Sequence, residues 1–156
     1  AVALEATDYR VAQDVLVWRR RGVQPVGRLD VDTTGVLLFT DDGRLLHRLI
    51  HPKRHVSKVY EVTLKHPATE AFCEKLRTGV VLDDSPKPVC AKDVELVDER
   101  HIRMTLTEGK YHQVKRMIAA CSNRCDGLHR SAFGLYVMPE TLKQGEWVWL
   151  TKKDLV

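Results

Sequence analysis

Hydrophobic and polar positions follow two different periods along this chain, and each change of period marks a new element. Residues 36–40 are apolar or β-branched without alternation, which is typical of a strand buried on both faces. Asp41-Asp42-Gly43 then indicates a turn, with Asp41 or Asp42 as the N-cap of a helix. The apolar positions of that helix recur at helical spacing: Leu45, Leu46, Leu49 and Ile50. Pro52 ends it.

The middle of the chain switches between the two periods again. Lys58–Leu64 alternates, which predicts a strand with one solvent-facing side. Residues 69–78 predict a helix that Thr69 caps and Gly79 closes. Three further strands are expected at 80–82, 89–97 and 101–107.

The remaining segments predict one more long helix and several extended stretches. Residues 111–121 form the helix, and its apolar stripe consists of Val114, Met117, Ile118 and Cys121. Residues 126–133, 135–138 and 146–150 are expected to be extended, and Thr151 to cap a final turn. A short helical segment is expected near the start, at 12–18.

This order of elements predicts an α+β fold. Strands precede and follow helices without regular βαβ repetition, which favours a mixed, mostly antiparallel central sheet flanked by a few helices. A length of 156 residues fits one domain or two small lobes.

Charge is distributed unevenly, although the net charge is only +4. No acid lies between Asp42 and Glu61, where five lysines and arginines occur with three histidines. Residues 70–99, by contrast, carry eight acids. A basic face opposite an acidic one is typical of a protein that meets phosphates on one side. Solvated faces without a partner explain the charge pattern equally well.

Several classes of protein are disfavoured by the sequence. The four cysteines show no disulfide framework, and Cys121, Cys125 and His129 lack a fourth metal ligand, so free thiols and no metal site are expected. No apolar run approaches the length of a membrane span, and no signal-peptide pattern opens the chain. These features favour a cytoplasmic protein.

Asp30 is the leading candidate for chemistry. It ends the turn Gly27-Arg28-Leu29-Asp30, directly before the expected buried strand, which would support the turn rigidly. An aspartate in such a turn often only binds its own backbone, which is the alternative interpretation. A cation from the helix that carries Lys115 would keep the carboxylate ionised and fix its rotamer, as a nucleophile requires.

Two other segments offer partners for this acid. Tyr60 is either a packing residue of its strand or a ring that stacks on a base. Lys115 and Arg116 point about 100° apart on their helix, so that one faces the acid and the other a phosphate. A solvated helix face is the alternative for both. The segment around His51, Lys53 and His55 is interpreted as phosphate contacts or plain surface.

Three motifs in the same order resemble the signatures of the pseudouridine synthases, specifically their RsuA branch. The motifs are Gly27-Arg28-Leu29-Asp30, Lys58-Val59-Tyr60 and Glu108-Gly109-Lys110-Tyr111-His112-Gln113-Val114-Lys115-Arg116-Met117. The resemblance extends from about Pro25 to the end of the chain and includes His129-Arg130 and Gly145-Glu146-Trp147. It implies an enzyme that isomerises uridine to pseudouridine in RNA, without cofactor or metal. The resemblance of the third motif to the RsuA branch favours small-subunit (16S) ribosomal RNA as the substrate.

The resemblance also implies roles for single residues. Asp30 corresponds to the nucleophile, Tyr60 to the tyrosine that stacks on uracil, and Lys115 to the cation paired with the acid. The residues expected to contact RNA are Arg28, Leu29, His112, Gln113, Arg116 and Arg130. Arg28 would occupy the gap that the flipped nucleotide leaves, because unstacking a base costs a few kcal/mol.

The chain also departs from the family pattern. The strand carrying Lys-Pro-x-Gly and the small RNA-binding domain that often precedes it are not visible. Residues 1–156 are therefore expected to be a catalytic domain without its first strand, acting as a monomer on ribosomal RNA or a small-subunit assembly intermediate. Alternatives are a non-catalytic RNA- or ribosome-binding module, a large-subunit ribosomal RNA pseudouridine synthase, and a metal-dependent hydrolase using Asp30 and Asp32.

Overall fold

The structure, a computed structural model, describes residues 2–5, 22–84, 86–109 and 112–155. The chain forms two compact units: the first contains the residues up to Val56 and from Arg130 onward, and the second is Ser57–His129. The helix expected at 12–18 lies outside the described residues. No helix in the described part of the chain is long and apolar enough to cross a membrane.

The strands of the described residues are β1 (Val2–Glu5), β2 (Gln24–Pro25), β3 (Thr33–Thr40), β4 (Lys58–Leu64), β5 (Asp93–Asp98), β6 (His101–Leu106), β7 (Cys125–Phe133), β8 (Tyr136–Val137) and β9 (Trp147–Trp149). The α-helices are α1 (Gly43–Ile50), α2 (Glu70–Thr78) and α3 (Gln113–Ala120). Short 3-10 helices span Pro52–Arg54 and Lys152–Asp154. This composition confirms the predicted α+β class.

In the first unit the strand order is β7-β3-β1-β9. β1 is antiparallel to both neighbours, with Ala3 opposite Leu38 of β3 and Val148 of β9. β2 pairs with β3, and β8 pairs with β7, both antiparallel. The sequence analysis did not predict β1.

Helix α1 forms where its cap and its apolar stripe predict it. The Asp42 carboxylate accepts hydrogen bonds from the backbone N–H groups of Arg44 and Leu45, at 3.0 and 3.1 Å, and so satisfies two of the free donors of the first turn. The apolar side of the helix is buried in the core of the first unit, whose members are Val26, Val36, Leu38, Leu45, Leu49, Phe133 and Leu155.

In the second unit the strand order is β5-β6-β4-β7. β4 has the predicted bounds and pairs antiparallel with β6, which pairs antiparallel with β5. Val62 and Leu64 of β4 are buried, whereas Glu61 lies on the other face and accepts a hydrogen bond from Arg103 of β6 at 2.8 Å. Arg103 also pairs with Glu95 of β5 at 3.0 Å.

The two helices of this unit follow their predicted stripes. α2 is capped by Thr69 and ends at Gly79, as the sequence indicates. The predicted apolar positions of α3 pack in the core of the unit, where Val114, Met117 and Ile118 are buried and Cys121 is partly buried. α3 begins two residues later than predicted, at Gln113.

One expectation in the second unit is wrong. The strand predicted at 80–82 is reduced to an isolated bridge between Val80 and Val89, and the strand predicted at 89–97 begins only at Asp93, as β5. Pro86 and Pro88 lie between the two segments, and a proline cannot donate to a strand ladder. The segment therefore forms a loop closed by one bridge.

Candidate active site

The turn that carries Asp30 is held on β3 at both of its ends. Before the turn, the backbone N–H of buried Val26 donates to the carbonyl oxygen of Leu38 at 2.8 Å. After it, the N–H of Thr33 donates to the carbonyl oxygen of Asp30 at 2.9 Å. Asp30 itself is half-buried. The sequence prediction that a buried strand supports this acid is confirmed.

The neighbours of Asp30 in the turn are mostly open to solvent. Gly27 adopts a φ of +72°, which favours glycine, and lets the chain reverse after Val26. Arg28 is exposed and Leu29 is half-buried. Arg28 is therefore accessible to an RNA strand.

A close backbone approach fixes the first residues of β3. Gly35 has a φ of +115°, and a Cβ there would lie 2.1 Å from the carbonyl oxygen of Arg130. Only glycine allows β3 and β7 to come together at this point.

Arg130 is buried, with 3% of its surface exposed. Its Nε and Nη2 both donate to the carbonyl oxygen of Val36, at 2.9 and 2.6 Å, and its guanidinium lies 5.1 Å from the ring centroid of Phe133. This geometry gives Arg130 a structural role beside the Asp30 turn. The sequence analysis missed that role, and RNA contact by Arg130 stays a prediction.

Tyr60 is placed by β4 on the side of the strand that faces the core of the second unit. It is opposite Met104 of β6 and is half-buried, packed against the same cluster as Val62. Both the packing role and the stacking role that the sequence left open are compatible with this partial burial.

The start of α3 presents the third motif. His112 precedes the helix with a φ of 48°, and its carbonyl oxygen accepts from the N–H of Arg116 at 3.0 Å. Gln113 is buried, with its Nε2 3.8 Å from the Met117 sulfur. Lys115 and His112 are half-buried, so these two are more accessible to a ligand than Gln113.

Arg116 binds a carboxylate of its own unit. Its Nη1 donates to Asp84 Oδ2 at 3.2 Å and its Nη2 donates to Asp84 Oδ1, an arrangement that raises the pKa of Arg116 further. Bidentate geometry of this kind also suits a phosphate. A phosphate that contacts Arg116, as the sequence predicts, would thus take the place of the Asp84 carboxylate. The sequence gives no signal for this pair because its members are 32 residues apart.

No group of three or more histidine, cysteine or acidic side chains among the described residues is placed to hold a metal ion. The four cysteines have free thiols. Burial raises the pKa of the Cys73 and Cys121 thiols, which keeps both protonated and poorly nucleophilic at neutral pH.

The predicted set is divided between the two units. Arg28, Leu29 and Asp30 belong to the first unit, and Tyr60 and Lys115 to the second. Each unit positions its own members on regular structure: the acid beside β3, the ring on β4 and the cation on α3. The convergence of acid, cation and ring stays a prediction.

Comparison with known proteins gives this geometry a context. Residues 8–120 match the family model described as RNA pseudouridylate synthase. Ribosomal small subunit pseudouridine synthase A of Haemophilus influenzae is 43% identical over 129 residues, which cover 83% of this chain and 56% of the relative. The protein of the same name from Vibrio cholerae has the same identity and coverage. The chain thus spans little more than half the length of these curated relatives.

A solved structure supports the same relationship. The protein of a structure described as "Crystal structure of pseudouridylate synthase" superposes with a TM-score of 0.88 at 36% identity, covering 98% of this chain and 70% of that one.

Proposed function

Because the chain belongs to the RNA pseudouridylate synthase family, we propose that it converts a uridine of small-subunit (16S) ribosomal RNA to pseudouridine. The observation that carries this proposal is the half-buried Asp30, in a turn that hydrogen bonds hold on β3. A rigid support of this kind suits a nucleophile, because attack needs a fixed distance and angle. The curated relatives reported above are named for small-subunit RNA, which supports that choice of substrate.

The proposed reaction is an isomerisation with balanced atoms. The Asp30 carboxylate assists cleavage of the bond between ribose C1′ and uracil N1, through attack on the sugar or the ring or by a glycal route. The detached uracil keeps the electron pair of the broken bond on N1 and rotates, and its C5 bonds to C1′. The proton on C5 is then transferred to a base, and N1 takes up a proton, which completes the pseudouridine. Nothing is oxidised or reduced, and no co-substrate enters the balance.

The other site residues take roles that fit where each unit holds them. Lys115 is the cation proposed to pair with Asp30 and fix the rotamer of its carboxylate. Tyr60 stacks on the uracil and accepts the C5 proton directly or through water. Arg28, which is exposed at the tip of the Asp30 turn, fills the gap left by the flipped nucleotide and offsets part of the unstacking cost.

We further propose that the chain works as a monomer in the cytoplasm, on ribosomal RNA or on a small-subunit assembly intermediate. His112 and Arg116, at the start of α3, contribute RNA contacts. Gln113 is buried and takes part by orienting this helix start, a finer role than the direct contact that the sequence suggested.

The proposal is tested by mapping pseudouridine after incubation of the chain with 16S and 23S transcripts, with excess chelator present. One modified uridine in the 16S transcript is the expected result. Product only in the 23S transcript would move the chain to the large-subunit enzymes. Bound RNA without any product would favour a non-catalytic RNA-binding module, and product that requires metal would favour a different chemistry.

A further inference from the structure

One stretch of the first unit carries basic side chains that have no carboxylate partner among the described residues. We call it the basic ridge, and it consists of Arg44, His47, Arg48, His51, Lys53 and Arg54. All of these side chains are exposed except that of His51, which is half-buried. The proposed reaction makes no use of them.

Helix geometry aligns the ridge on one side of α1. Arg44, His47 and Arg48 follow at spacings of three and four residues, on the side away from the buried Leu45 and Leu49. The His47 and His51 rings lie 4.8 Å apart. The His51 Nδ1 accepts from the backbone N–H of Lys53 at 3.2 Å, so the 3-10 helix Pro52–Arg54 continues the ridge.

Helix stability accounts for only part of this arrangement. Cations in the last turn interact favourably with the helix dipole, which explains Arg48. Arg44, however, is in the first turn, where the dipole disfavours a positive charge, and that turn contains no acid. Asp42 caps the helix and pairs with Lys152 at 2.9 Å.

Two arginines of the second unit, by contrast, pair with carboxylates. Arg77 binds Glu70 and Glu74, and Arg103 binds Glu61 and Glu95. The ridge is therefore a row of accessible basic side chains that no carboxylate of the described residues neutralises. The phosphates of an RNA backbone form a regular row of anions, and such a row can pair with the basic side chains of the ridge.

We propose that the basic ridge binds the phosphate backbone of the substrate RNA. This inference rests on the proposed function only in taking RNA as the substrate. Arginine and lysine there contact phosphates and not bases, so the ridge adds affinity without sequence preference.

The test compares two triple variants that remove the same charge. Arg44→Gln/Arg48→Gln/Arg54→Gln removes three ridge cations, and Lys65→Gln/Lys75→Gln/Lys92→Gln removes three exposed lysines of the second unit. Affinity for a fluorescently labelled RNA stem-loop is measured by anisotropy over a range of salt concentrations. Loss of three exposed phosphate contacts should weaken binding about ten-fold and lower the slope of log affinity against log salt by about two to three.

A third variant, Arg44→Lys/Arg48→Lys/Arg54→Lys, should keep most of the affinity because it keeps the charge. Equal losses in the ridge and control variants, or no loss in either, would overturn the proposal. The experiment measures binding alone, so it separates RNA binding by the ridge from the proposed formation of pseudouridine. Wild-type protein that forms pseudouridine with an inert ridge refutes only the ridge, and a ridge effect without product refutes only the activity.

Discussion

Replacing Gly35 by alanine should be the most damaging single methyl addition in the first unit. The new Cβ would lie 2.1 Å from the carbonyl oxygen of Arg130 and 2.6 Å from its nitrogen, where ordinary contact begins at 3.4 Å. Both atoms belong to backbone, so β3 and β7 would have to separate by about 1 Å, comparable to a severe overpacking defect. Strain at a φ of +115° adds to this, and together we expect a loss of about 4 kcal/mol.

Two other glycines of the same unit separate these contributions. Gly27 has a φ of +72° but no atom within 4 Å of an added Cβ, so Gly27→Ala should cost only the backbone strain, about 1 kcal/mol. Gly43 begins α1 with open space around it and without a positive φ, so Gly43→Ala should be neutral or stabilise by about 0.5 kcal/mol.

Urea unfolding followed by far-UV circular dichroism would measure the three variants against the wild type. A loss of about 4 kcal/mol is a large fraction of the 5–15 kcal/mol that is typical of a folded domain, so the shift in the urea midpoint should be readily measured. If Gly35→Ala costs no more than Gly27→Ala, the close approach of β3 and β7 is refuted.

Three further predictions follow from single contacts. Arg130→Met should lower the free energy of unfolding by about 1.5–3 kcal/mol, because the carbonyl oxygen of Val36 loses two charged donors. The salt dependence of RNA binding should stay unchanged. A changed salt dependence with unchanged stability would instead assign Arg130 to RNA contact. Asp84→Asn should release Arg116 and strengthen RNA binding in anisotropy measurements, and weaker binding would mean that the pair positions the helix. Lys152 and the first-turn N–H groups lower the pKa of Asp42, so its stabilising effect is fully present above about pH 4 and is lost as the pH falls through the lowered pKa. Asp42→Asn should therefore lower the urea midpoint more at pH 7 than at pH 3, and equal losses at both would refute the linkage.

Local signals in the sequence predicted the elements whose formation depends on nearby residues. α1 and α2 each have a capping side chain, a helical stripe and a stop residue within about ten positions, and both form as expected. β4 has the predicted bounds because its alternation matches one buried face.

Contacts between distant residues were not predictable in this way. The buried pairing of Arg130 with Val36 spans 94 positions, and nothing in the pattern distinguishes a structural arginine from one that meets phosphate. The bidentate Arg116–Asp84 pair is similar. β1 has only four residues, too few for a period to be read, and it forms because β3 and β9 supply its hydrogen bonds.

In the candidate site, too, some features were predictable from the local sequence and others were not. Its residues were found from motifs, and the support of the Asp30 turn was predicted because a buried strand follows it directly in sequence. The burial of Gln113 was not predicted, because a polar residue in the first turn of a helix normally faces solvent.

The most direct test of the enzymatic account compares Asp30→Asn with Asp32→Asn in single-turnover conversion of the 16S transcript. The two substitutions remove the same charge from one turn. The account predicts that Asp30→Asn binds the transcript like the wild type but forms no pseudouridine, whereas Asp32→Asn still forms it. Product from Asp30→Asn at the wild-type rate would contradict the assignment of this carboxylate as the nucleophile.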